Sequence, residues 1–411
     1  QDSSFAGAVT AQGNQDGNEK GDFYYAPPSG YLALCTDNLS TPEIALPGEN
    51  FNTVLYTGNG GTQSVTGAGF EPDFVWLKNR DDAANHGLFD SVRGVQNSLS
   101  SNTTTEARTA GAATEDLYAF NSDGFSVGVG AVPDTSYINC NVDTKDYVSW
   151  NWKAGGAPTA TNSAGAGATP TAGSVKIDGS NLGSALAGTI PATKISANTT
   201  SGFSIVTFEG TGSNGTVAHG LSQAPELIIV KNIDMTNEWP VGTTEGGLDF
   251  TDYLKLDGNR AFTDDDRPFN DTDPTASVFS VGTYDGTNEN NDTILSYCFH
   301  SVEGYSKVGS YTGNNDADGA FVYTGFKPAF VLIKEVAVAR DWVMFDDKRS
   351  PYNEVTRKLS PNDNGPEGTA RNLDFLSNGI KMRESSAYIN DALTYLYIAF
   401  AKNPFKTSNA R

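Results

Sequence analysis

The chain has 411 residues with 44 Gly, 18 Pro, 17 Tyr and 22 Phe but only 18% charged residues, a composition of short strands and many turns that points to an all-β protein with more than one core. A formal net charge of −22 repels a phosphate backbone and excludes nucleic acid as an expected partner; no run approaches the roughly 18 to 20 apolar residues of a membrane helix, so no membrane insertion is expected. Cys35, Cys140, Cys298, His86, His219 and His300 lie too far apart for a disulfide framework or a zinc site, and no cofactor is expected.

Residues 1–50 contain GDFYYAPPSGYLALCTDNLSTPEIALPGEN, one aromatic strand, a Pro-Pro-Ser-Gly turn and a short apolar stretch. This is too little for a core of its own, and the segment is expected to complete a sheet or to pack against the first repeat unit. From Phe51 the chain resembles itself three times, in units 51–154, 203–304 and 305–411. Each unit opens with an aromatic strand and a Gly-rich turn: FNTVLYTGNGG from Phe51, FSIVTFEGTGSNG from Phe203 and YSKVGSYTGNNDADG from Tyr305. A Gly and Pro turn then feeds an apolar strand ending in Lys, in GFEPDFVWLKN, GLSQAPELIIVKN and GFKPAFVLIKE. Such a strand is too apolar to face water on both sides and belongs at the centre of a sheet. Lys78, Lys231 and Lys334 at its end are expected at the rim, with stems on apolar surface and ammonium groups in water.

The later landmarks keep step. Phe125, Phe279 and Ile380, each in a second strand, follow Pro72, Pro225 and Pro328 by 53, 54 and 52 residues. Each unit closes on an aromatic strand, DYVSWNWK, TILSYCFH or TYLYIAFAK. Units one and three share a D-x-x-R element, Asp90 to Arg93 and Asp346 to Arg349, which unit two lacks. Residues 155–202, dominated by Ala, Gly, Ser, Thr and Pro, read as an extended linker that leaves unit one free, whereas SVEGYSK fuses units two and three into a rigid pair. The expected architecture is three tandem antiparallel β-sandwich domains of jelly-roll or lectin type.

Chemical motifs are scarce. Asn314, Asp316, Asp318 and Gly319 resemble the start of a calcium loop, but Gly325 stands where the twelfth-position Glu is required, so an ordinary turn is expected; calcium elsewhere in the loops has no assignable position. No nucleophile elbow, zinc helix or phosphate loop sits in a usable strand-turn-helix context, and carboxylate pairs among 49 acidic residues carry no specificity, so an enzyme is not expected. Trp76 and Trp150 lie in apolar strands and read as core; Trp239 and Trp342 flank turns and are the candidates for exposed contact. With Asp264, Asp265, Asp266, Asp271 and Asp273 of the unit-two insertion FTDDDRPFNDTDPTAS, they form the candidate recognition residues.

The segments YTGNGGTQSVTGAGFEPDFVWLKNR, LYAFNSDGFSVG, YVSWNWKAGG, VEGYSKVGSYTGN, FVYTGFKPAFVLIK and IAFAKNPFKTSNAR resemble large virion proteins of marine bacteriophages, over residues 22 to 411. GDFYYAPPSGYLALCTDNL is similar to the close of a SPRY-like lectin domain that often precedes the array in such proteins. The resemblance implies a structural or adhesive part of the particle, most simply a tail fibre or appendage, with a capsid decoration protein or a glycan-binding lectin as alternatives and a polysaccharide depolymerase as the least favoured. Its implied partners are other virion proteins, a host-surface glycan, and copies of itself in a homo-oligomer, a trimer by analogy with fibres.

Overall fold

A computed structural model describes residues 12–129, 138 and 140–408. The three units share one topology. In each, four antiparallel strands of an inner sheet run in the order opening, closing, middle, edge strand; they are the whole sheet in units one and three and the middle of a nine-stranded sheet in unit two. In unit one these are Phe51–Thr57, Asp146–Trp152, Phe74–Asn79 and Gly87–Asp90; in unit two, Phe203–Glu209, Thr293–Phe299, Leu227–Asn232 and Pro240–Thr243; in unit three, Ser306–Thr312, Thr394–Pro404, Phe326–Glu335 and Val343–Asp346. A small outer sheet, built on Gly124–Gly128, Val278–Val281 or Gly379–Met382, covers one face and completes a sandwich.

The closing and middle strands explain why their sequences are apolar throughout. Val148, Trp150 and Trp152 point one way, into a core shared with the other units, while Tyr147 points into the unit's own sandwich. Leu295, Tyr297 and Phe299 alternate in the same way with Ile294 and Cys298, as do Leu396, Ile398 and Phe400 with Tyr395, Tyr397 and Ala399. Period-two alternation thus serves two cores and no solvent face.

The shared core lies where the three inner sheets face one another, around a pseudo-three-fold axis. Register makes Trp152, Phe299 and Phe400 equivalent, since each sits in the closing strand opposite the start of the opening strand. These three meet: the Trp152 and Phe400 ring centres are 5.6 Å apart, those of Phe299 and Phe400 6.1 Å. Phe74 of unit one stacks on Tyr297 of unit two at 4.5 Å, and Phe51 of unit one on Phe400 of unit three at 4.8 Å. Burying each ring contributes about 1.5–3 kcal/mol, and aromatic pairing adds about 0.5–1.5 kcal/mol. A residual apolar cavity of about 20 Å³ remains on the axis.

This arrangement corrects the expected linker. Residues 155–202 contain the strands Val175–Ile177, Ser180–Asn181 and Ala192–Asn198, which extend the inner sheet of unit two. Ala192–Asn198 pairs antiparallel with Phe203–Glu209, and Thr189 and Ile190 donate from their backbone to Thr216 of the outer sheet. Composition concealed this because Ile190, Ile195, Ala192 and Ala197 bury small or isolated apolar side chains within a Ser/Thr-rich frame. Unit one is therefore fixed to the other two through the axis, not held at the end of a flexible tether. The segment before Phe51 reaches beyond unit one to the junction of units two and three: Ser40 donates to Glu303 at 2.7 Å, Lys406 donates to the Leu39 carbonyl at 3.0 Å, and Ile44 enters the shared core.

Candidate functional site

The polar residues that recur between units gather at the three contacts around the axis. In unit one, Asp90 at the end of the edge strand accepts the backbone N–H groups of Val92 and Arg93 at Oδ1 and the Arg93 guanidinium at Oδ2, 2.6 Å away. Its Oδ2 also accepts the Tyr297 hydroxyl of unit two at 2.8 Å. In unit three, Asp346 repeats the turn with Lys348 and Arg349, and its Oδ2 accepts Trp150 Nε1–H of unit one at 3.1 Å. Both ion pairs are buried, and remaining guanidinium N–H groups donate to Leu88 and Asn97 or to Met344 and Glu367. A buried pair of this kind is tolerable because its lone pairs and protons are satisfied.

Unit two carries Thr243 where the others carry Asp and Gly246 where they carry Arg. Thr243 donates instead to the Glu226 carbonyl at 2.8 Å. The residue of unit three equivalent to Trp150 and Tyr297 is Ile398, as its pairing with Leu332 and Val308 establishes. Acceptor and donor are thus lost together at the third contact.

The residue before each edge strand forms a second ring of contacts. His86 lies between Trp76 Nε1–H, which donates to Nδ1 at 2.9 Å, and the Ser360 carbonyl of unit three, 3.0 Å from Nε2. Nδ1 must accept, so Nε2 carries the proton and donates to Ser360. Burial, then the charge of Lys78, hold the His86 pKa well below its ordinary value, consistent with this neutral tautomer. Trp239, the equivalent in unit two, donates Nε1–H to the Thr103 carbonyl of unit one at 3.0 Å; Trp342, in unit three, donates to Lys255 of unit two at 2.8 Å. Both indoles are buried, at 0% and 2% exposure, which overturns their expected role as exposed contacts. Flanking a turn placed them at a lobe surface, but that surface is covered by the neighbouring unit.

The three lysines are corrected as well. Lys78, Lys231 and Lys334 are each 0% exposed, and their ammonium groups are bound by carbonyls instead of water. Lys231 donates to Asn237 at 2.6 Å and to Thr104 of unit one at 2.9 Å; Lys334 donates to Glu335 at 2.5 Å and to Asn259 of unit two at 3.5 Å; Lys78 donates to Asn79 at 2.6 Å. Burial lowers all three pKa values to about 8, against partial compensation by nearby carboxylates.

The acidic insertion of unit two does form one surface patch. Asp264 pairs across strands with Asp252, and the pKa of Asp271 is raised by loss of hydration and then by Asp266, Asp264, Asp249 and Asp265. Two members have structural duties: Asp273 accepts the Phe250 N–H at 3.2 Å, and Asp265 pairs with Arg267. Phe269 anchors the loop edge-on to Phe250 at 5.0 Å. Asn314, Asp316 and Asp318 close a turn on one another's backbone, with Asp318 paired to Lys381. Among the described residues, no group of three or more His, Cys, Asp or Glu is arranged to hold a metal ion.

The cyclic contacts were missed in the sequence because each joins residues of different units, as Trp342 joins Lys255, 87 positions away, and His86 joins Ser360, 274 positions away. The available signal was the substitution pattern across the aligned units, Asp, Thr, Asp in the edge strand against Trp, Tyr, Ile in the closing strand. A family model, the domain of unknown function DUF7483, matches the chain twice, over residues 46–178 and 176–404. No curated protein matches the chain.

Proposed function

The chain belongs to the DUF7483 family, and from its architecture we propose that it is a structural component of a phage particle, a tail fibre or appendage part that acts as a rigid three-lobed spacer and host-surface adhesin. One observation carries the structural half of this reading: both Asp-Arg pairs, the indole donors Trp150, Trp239 and Trp342, and two of the three lysines, Lys231 and Lys334, bond across units around the axis. A side chain committed to packing has no spare lone pair or proton for chemistry, so the repeat serves mechanical rigidity first. The resemblance of its segments to marine phage virion proteins supplies the particle. The adhesive half rests on the loops and outer faces, where the units differ.

The test is to locate the chain on purified particles with a gold-labelled antibody. Label at fibres or appendages is expected. Label over the head would assign a decoration role instead, and particles free of label would reject the reading. Soluble protein is expected to slow host adsorption by occupying receptor sites.

A further inference from the structure

The three units provide an internal comparison for every outward-facing position. The edge strand of the outer sheet pairs with the strand that holds Phe125, Phe279 or Ile380, so register makes Val65, Val217 and Val322 equivalent. The neighbours on either side alternate with this valine along the strand. In unit one they are Ser64 and Thr66, both exposed; in unit two they are Thr216, bonded to the 155–202 segment through Thr189, and Ala218, which is buried in that unit's core. In unit three they are Phe321 and Tyr323, 48% and 59% exposed, with Val322 buried between them. The fold is built twice with small residues here, so the two rings are not required to build it.

Their setting is flat. Tyr323 lies opposite Gly379, where a side chain would run into the Val322 carbonyl and the edge of the Phe321 ring, so that ring lies along bare backbone. Strand rise places the two side chains about 7 Å apart on one face. Beside them, opposite Phe321, Lys381 pairs with the largely exposed Asp318 at 2.8 Å, providing N–H donors and carboxylate acceptors at the rim. The Tyr323 hydroxyl has no hydrogen-bond partner among the described residues.

We propose that Phe321 and Tyr323 form a stacking platform for a saccharide, with Lys381, Asp318 and the Tyr323 hydroxyl bonding its hydroxyl groups. Two half-exposed rings offer on the order of 200 Å² of apolar surface, far below the roughly 800 Å² that each partner buries in a stable protein interface. A sugar ring suits this size: it presents C–H groups on its faces and hydroxyls at its edge, matching a flat aromatic surface with a polar rim. The assignment deepens the adhesin reading by naming its ligand class, and its test needs no particle, so failure here leaves the location of the chain to be decided by labelling.

The experiment compares the full chain with the double variant Phe321→Ser, Tyr323→Thr, which installs the unit-one residues. Both are run in native gels cast with a soluble β-glucan, a mannan or a galactan, alongside sedimentation velocity and thermal unfolding. Retardation of the unmodified protein in at least one polysaccharide is expected, with apparent affinity at least ten-fold weaker in the variant and its unfolding transition unchanged. Three results would overturn the proposal: no retardation in any of the three gels, equal retardation of both proteins, or self-association that the variant abolishes.

Discussion

The contact between units one and three and the contact between units two and three occupy equivalent places around the axis and solve the same problem by opposite means. The first buries Asp346, Arg349 and the Trp150 N–H together, with the Arg349 guanidinium 5.4 Å from the centre of the Trp150 ring and Arg80 clasping Glu367 through two hydrogen bonds nearby. The second has Thr243, Gly246 and Ile398 in the corresponding places, with no Asp-Arg pair to desolvate. A buried ion pair is therefore an option at this position, not a requirement. What each contact does require is that donor and acceptor be present or absent together.

The sharpest way to break that rule is Asp346→Ala, which leaves Arg349 buried without its main partner. A loss of about 3–5 kcal/mol is expected in urea unfolding, and a loss below about 1 kcal/mol would mean that Glu367 alone satisfies the guanidinium. Asp90→Thr should be comparably costly, yet combining it with Arg93→Gly and Tyr297→Ile converts the contact to the composition found between units two and three. The triple variant is expected to regain about 2 kcal/mol over the single one, whereas additive losses would refute paired exchange. Tyr297→Phe removes the donor alone and should cost about 1–3 kcal/mol, measured by the same unfolding curves.

The lysines sharpen the comparison through pH. With folded pKa values of about 8 and an ordinary value of 10.5, each ammonium loses its proton earlier in the folded than in the unfolded chain. The desolvation penalty is felt in full below pH 8, and stability rises from pH 8 to 10.5, on the order of 1–2 kcal/mol per lysine by pH 10. Above pH 9 the buried thiols of Cys140 and Cys298, whose pKa values are raised by burial, act in the opposite sense. The clean measurement is thus the difference between the protein and Lys231→Met, whose rise from pH 8 to 10 should be smaller. The smallest effect is expected away from the axis: Lys145→Ala, which removes the partly exposed pair with Asp82, should shift the urea midpoint least of these variants, and less still in high salt.

Much of the fold was legible because the determinants were local and repeated. The Pro-to-strand spacing located a central strand and a second strand in each unit, and the apolar runs at Phe74 and Leu227 marked strands that could not face water on both sides. What those runs could not reveal was that the second face met other units instead of a second layer of the same one. Lys78 and Trp239 were misplaced for that single reason, since a rim position becomes interior when another lobe caps it. The 155–202 strands were hidden because they are held by backbone pairing to unit two, which a Ser/Thr/Ala composition neither favours nor forbids. The acidic insertion was located from its sequence, while Phe321 and Tyr323 escaped notice because exposure depends on the pleat, which sequence alone left undetermined.

Joining the three lobes in one polypeptide has a genetic consequence. In an assembly of three identical chains, one codon change alters all contacts at once, and an exchange such as Asp to Thr must be tolerated three times over. Here each contact is encoded separately, so Thr243 and Ile398 could arise in one place while Asp90 and Asp346 stayed in the others. The same independence extends to the outer surfaces: a single gene can alter one lobe for a new surface contact and keep two unaltered as its frame.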